Sequence, residues 1–118
     1  MESVSYFYVL YCHDGSFYGG YTTDLARREE EHNQGVGAKY TKPQTRRPVK
    51  MIYAEGYPSR SAATKAEYAF KKQTRKKKLD YLTKQGVQFP VLPTESCLVN
   101  MQQIEAKECE KHAESKEF

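Results

Sequence analysis

The sequence predicts an α+β domain: a small three-stranded antiparallel or mixed sheet flanked by helices, in the order β-β-α-β-α-α. Three observations predict it. The run Tyr-Phe-Tyr-Val-Leu-Tyr-Cys at 6–12 is aromatic and apolar at every position, as in a strand covered on both faces. His13-Asp14-Gly15 is turn chemistry that sends the chain back into a second short run. Beyond it, one further apolar run lies between segments opened by helix-capping residues.

The first strand is 6–12 and the second 16–20, Ser-Phe-Tyr-Gly-Gly, which makes a hairpin. A two-residue turn would put Tyr8 and Tyr18 on opposite faces. A three-residue loop, 13–15, pairs positions whose numbers sum to 28 and puts both on one face. Gly15 suits the left-handed position of that longer loop, so the longer loop is expected. Thr22, Thr23 and Asp24 are N-cap candidates for a helix running to about Asn33 or Gln34, with Gly35 beyond its end. Residues 35–48 form a loop with two glycines, two prolines and four basic residues around Tyr40. Val49 to Glu55 read as the third strand. Pro58 with Ser59 or Ser61 opens a second helix to about residue 74, and Arg75 to Tyr81 a short third one, ending before Gly86. The domain spans 1–93. Residues 94–118 are an acidic C-terminal tail, expected to be partly helical over 99–113 or disordered.

The 118 residues carry 38% apolar side chains, enough for one core. No run of 18 apolar residues exists to cross a membrane, and the N-terminus lacks a secretory pattern, so the expected compartment is the cytoplasm. Three cysteines without a Cys-x-x-Cys pair read as reduced thiols. Residues 1–93 hold 16 Lys and Arg against nine Asp and Glu, a formal +7, while the tail is −3. A basic domain suggests a polyanionic partner, with nucleic acid the commonest.

The residues that carry chemistry sit at fixed spacings. Counting from Leu25, Arg28 lies at i+3 and His32 at i+7, so both share the helix face that meets the sheet. A guanidinium beside a core is costly unless paired, so Arg28 is either waiting for an anion such as phosphate or bonded to Glu29 or Glu31. Glu67 lies on or beside the inward face marked by Ala63, Ala66, Ala69 and Phe70. It is a hard oxygen ligand for a divalent cation or the i,i+4 partner of Lys71, and both readings stand. Tyr8 and Tyr18 can exchange protons with a water if nearby cations lower their pKa. Tyr6 and Tyr11 read as packing. The basic run 71–78 is either a strip for a phosphate backbone or a solvated helix surface.

These motifs, in this order, resemble the GIY-YIG nuclease superfamily, in its small single-domain form, over roughly residues 5–82. Tyr6-Phe7-Tyr8 stands where Gly-Ile-Tyr belongs and Tyr18-Gly19-Gly20 where Tyr-Ile-Gly belongs. Arg28, His32 and Glu67 match the helical positions, and the loop Gly37 to Thr41 also looks familiar. The resemblance implies a metal-dependent endonuclease acting on DNA, or RNA, with low sequence specificity. It implies catalytic Tyr8, Tyr18, Arg28, His32 and Glu67. Glu67 is then the ligand of a single Mg2+ or Mn2+, and Lys39, Tyr40, Lys42, Arg46, Arg47, Lys71 and Lys72 hold nucleic acid. Leu79 stands where many members carry asparagine, which leaves a nucleic-acid-binding module without cleavage as the alternative.

Overall fold

The computed structural model describes residues 4–91 and 97–101. Its elements are β1 (Ser5–Tyr11), β2 (Phe17–Thr22), α1 (Leu25–Asn33), β3 (Lys50–Tyr57), α2 (Arg60–Lys71), α3 (Arg75–Lys84) and β4 (Leu98–Met101), with a single 3₁₀ turn at Gln44–Arg46. The sheet order is β2-β1-β3-β4. β1 is antiparallel to both neighbours, and β4 runs parallel to β3. The α+β class therefore holds, but the sheet has four strands rather than three. Residues 98–101, expected to be helical or disordered, are the fourth strand. Leu98 and Val99 suit a strand, and β3 offers an edge that a parallel segment can pair with. The rest of the expected 99–113 helix lies outside the described residues. No helix among the described residues is long and apolar enough to cross a membrane.

The hairpin is the three-residue form. Leu10 lies opposite Tyr18, and Tyr6 opposite Thr22. Cys12 N–H donates to Ser16 O and Gly15 N–H to Cys12 O, both at 2.9 Å. Gly15 has φ +86°, the conformation that the turn requires and that a side chain resists. The helix starts are settled by caps. Asp24 accepts from Arg27 N–H, Ser59 from Ala62 N–H and Thr74 from Lys77 N–H. Helix α3 thus starts at Arg75 as expected, while α2 ends at Lys71, short of the expected 74.

Alternation along the strands divides the core in two. Phe7, Val9, Phe17 and Tyr53 face α2 and α3, meeting Ala63, Phe70 and Leu82. Tyr8, Leu10, Met51 and Ala54 face the other way, with Tyr18, Leu25 and Tyr40 packed against them. A bulge breaks the β1–β3 register between Val9 and Leu10. There the Glu29 carboxylate accepts from Met51 N–H at 2.8 Å, which ties α1 to the bent strand. Asn33, at the end of α1, both donates to Val49 O and accepts from Val49 N–H. It thereby closes the two ends of the 35–48 loop over the second face.

Candidate active site

The hairpin register puts Tyr8 and Tyr18 on the α1 face, and the 3.6-residue period of α1 turns Arg28 and His32 toward them. Four sequence-predicted residues thus converge. His32 is fully buried, and its Nε2 lies 2.8 Å from Tyr8 Oη. Its Nδ1 lies 2.7 Å from Thr41 Oγ1, and the Thr41 hydroxyl reaches Ala38 O at 3.3 Å. With the Thr41 hydroxyl donating to Ala38 O, its oxygen accepts from His32 Nδ1–H, and Nε2 is left to accept the Tyr8 proton. Arg28 Nε–H donates to the same Tyr8 oxygen at 3.3 Å. Its other nitrogens donate to Glu31 at 2.9 Å and to Gly37 O at 2.8 Å. Three of the five N–H groups are thereby used, leaving two for an incoming oxyanion. Of the two partners expected for Arg28, the structure selects Glu31, since Glu29 is held by the β3 bulge.

Burial dominates the electrostatics. It pushes the Tyr8 phenol up to about 12, with Arg28 opposing that rise and Tyr18 and Glu67 adding to it. Burial, assisted by the Arg28 charge, lowers His32 to about 4, so its imidazole is neutral at ordinary pH. A neutral base hydrogen-bonded to a phenol that a guanidinium also touches is a short path for a proton.

The site is flanked by β2, the edge strand, where Gly19 and Gly20 are buried and carry no side chains. A Cβ on Gly20 would overlap Tyr8 Oη, and one on Gly19 would sit 3.1 Å from Phe70 and 3.7 Å from Lys71. Helix α2 therefore comes close enough for Lys71 to reach around the edge. Its Nζ lies 5.3 Å from the Tyr18 ring centroid and 2.8 Å from Glu67 Oε2. Glu67 sits on the opposite side of the sheet from His32 and joins the cluster through this edge. Both i,i+4 partners are thus in contact, as one of the two sequence readings of Glu67 has it.

Tyr18 also stacks on Tyr40, with centroids 5.5 Å apart and planes inclined by 22°. Arg46 lies over the Tyr40 ring, 4.0 Å from its centroid. Arg46 is further committed to Asp14 at 3.1 Å and to Tyr40 O at 2.9 Å. Arg47 donates to Asn33 O and Lys42 O. These two guanidiniums hold the loop in place. Lys39 and Lys42 are exposed beside it, and Lys72 is exposed on α2 over the Tyr68 ring. Arg75 and Lys78 on α3 border, with Phe17 and Tyr40, a cavity of about 240 Å³ next to the hairpin. Sequence reasoning missed Thr41. It is completely buried in a loop without periodicity, where only its place after Tyr40 in the familiar Ala-Lys-Tyr-Thr stretch marks it.

A divalent cation would find hard oxygen donors at Glu67. Among the described residues no group of three or more His, Cys, Asp or Glu could hold a metal ion. One carboxylate completed by water and substrate phosphate is a usual shell for magnesium, so the donor fits that kind of ion once Lys71 releases it.

Two tyrosines on neighbouring strands, with an Arg–His helix across them, are the arrangement that the resemblance to a nuclease family implies. The family model of the GIY-YIG catalytic domain matches residues 4–80, and the chain belongs to that family. It is 66% identical over 77 residues to a UPF0213 protein of Enterococcus faecalis, covering 65% of this chain and 88% of that one. A UPF0213 protein of Listeria welshimeri is 64% identical over 77 residues, covering 65% of this chain and 83% of that one. Among solved structures, a solution NMR structure of an E. faecalis protein aligns with a TM-score of 0.49 at 61% identity. It covers 72% of this chain and 91% of that one.

Proposed function

We propose that the protein is a metal-dependent endonuclease that hydrolyses phosphodiester bonds in DNA, with low sequence specificity. The observation that carries this reading is the Tyr8 hydroxyl, shared between the Arg28 guanidinium and the neutral His32 imidazole. A phenol held near pKa 12 is not a standing base, so the reading assigns Tyr8 a relay role. A water on its oxygen gives it a proton as its own proton passes to His32 Nε2. Arg28 takes the phosphate oxygens on its two remaining N–H groups, and that added negative charge favours the imidazolium that forms. A cation such as magnesium or manganese, when bound, supplies positive charge at the leaving oxygen, and Glu67 is the residue that would hold it. In this reading the exposed Lys39, Lys42, Lys71 and Lys72 take phosphates along the strand, and Tyr40 takes a base.

The Glu67–Lys71 pair favours a second reading, in which the chain binds nucleic acid without cutting it. Leu79 points the same way, since it packs against the core where many members have an asparagine. A cleavage assay on single-stranded, duplex, flap and branched DNA with magnesium or manganese decides between them. Arg28→Ala and Glu67→Ala are expected to lose most cleavage, at least ~100-fold, while circular dichroism shows the fold intact. Cleavage retained in either folded variant removes that residue from the mechanism. Salt-dependent binding with no cleavage in the wild type selects the second reading.

A further inference from the structure

On the face of the sheet away from Tyr8 and His32, Glu55 of β3 is 1% exposed, and no ion pair to it is found among the described residues. Its carboxylate accepts from three phenols instead: Tyr57 at 2.6 Å, Tyr53 at 2.7 Å and Tyr81 of α3. Glu55, Tyr57 and Tyr81 form the floor of a cavity of about 220 Å³ between α2 and the sheet. Phe7, Phe70 and the two small residues Ala66 and Ala69 form its walls, and Gln73 stands at its mouth.

The proton inventory of that floor is one-sided. Each phenol has a single proton, and all three are given to Glu55. Burial, with the carboxylate second, holds Tyr53 and Tyr57 above the ordinary phenol range, so those protons stay on the tyrosines. The oxygens facing the cavity can therefore only accept. They also surround the Glu55 carboxylate, to which no cation is paired among the described residues. A ligand that fits must bring N–H donors, a positive charge and an apolar body. A neutral alcohol fills the walls but leaves the charge unmatched, and an anion is repelled. We propose that this cavity binds a primary alkylammonium ion, its ammonium on the Glu55–tyrosine floor and its alkyl chain against Phe7, Phe70, Ala66 and Ala69.

The test is an amide NMR titration of the full chain with n-butylammonium, with n-butanol and butyrate as controls of equal chain length. Saturable shifts at Ala66, Ala69 and Tyr81 are expected for butylammonium, with at least tenfold weaker responses to both controls. Ala69 is exposed on α2, so Ala69→Leu fills the cavity from its rim while leaving the carboxylate in place. It should weaken butylammonium at least tenfold, and Glu55→Gln, if it folds, should do the same by removing the charge. An equal response to butanol, an unchanged response in Ala69→Leu, or no saturable shift overturns the proposal.

Discussion

The neighbours of His32 tie its tautomer to the direction of two hydrogen bonds, and that link is measurable. Thr41 takes the Nδ1 proton and Tyr8 supplies one to Nε2, so a second proton on the ring would displace a hydrogen bond in a fully buried place. The folded-state pKa of about 4 lies below the unfolded value near 6.5. Between the two the unfolded chain binds more protons, so the contribution is complete above about pH 6.5 and is lost as pH falls toward 4. Urea denaturation is expected to show about 2 kcal/mol less stability at pH 5 than at pH 7.5 from this residue alone. A His32→Asn variant should lose that part of the slope, and an unchanged slope would show that other groups cause it. Thr41→Val tests the same assignment from the other side. It removes the acceptor of Nδ1–H, at a cost of about 1–3 kcal/mol. Imidazole nitrogen NMR should then show mixed tautomers where the wild type shows one. Arg28 and His32 were legible in the sequence because a helix repeats. Thr41 was not, because a loop fixes its side chains through tertiary contacts that no period announces.

Among the elements, the hairpin carries most of the site, and its register was readable from one glycine. Gly15 permits the three-residue loop, the loop makes partners sum to 28, and that parity brings Tyr8 and Tyr18 onto one face. The Gly19-Gly20 pair was readable only as a motif; its physical role appears in the packing. Gly20 stands directly across from Tyr8, and Gly19 lets Phe70 and Lys71 approach from behind. The two positions should therefore respond differently to one methyl group. Gly20→Ala must displace the buried Tyr8 ring, which breaks its bonds to His32 and Arg28. Overpacking of that kind costs about 1–3 kcal/mol. Gly19→Ala needs only a few tenths of an ångström from Phe70, and should cost less than about 1 kcal/mol. Thermal unfolding ranks the two variants for stability. Activity should fall much further in Gly20→Ala than its stability loss explains, and equal effects at the two glycines would show that Tyr8 is not positioned through this contact.

At the scale of the whole molecule, one sheet separates two kinds of buried polar chemistry, a histidine hydrogen-bonded to a tyrosine on one face and a carboxylate among tyrosines on the other. Only the first was legible. The sequence marks Glu55 only as the last residue of the third strand, and three tyrosines bury it. β4 was missed for a related reason. Leu98 to Met101 is a four-residue run in a polar, charged stretch, and composition over 94–118 outweighs it. In place, the strand pairs Tyr53 through Gly56 with Leu98 through Met101. Asn100 donates to Gln85 beyond the end of α3, Leu98 and Val87 border one cavity, and the Met101 sulfur covers Gly56. Two truncations isolate the contribution of the strand from that of the residues after it. A chain ending at residue 94 loses β4 and uncovers the β3 edge beside Tyr53. Its net cost should be about 1–2 kcal/mol, because the partial burial of largely exposed side chains and a few ladder bonds are offset by the entropy of ordering them. For a domain of this size that lowers the unfolding midpoint by roughly 5–15 °C. A chain ending at residue 104 keeps the strand and should unfold within a few degrees of the full chain. Equal midpoints for the two truncations would show that β4 adds nothing to the stability of the sheet.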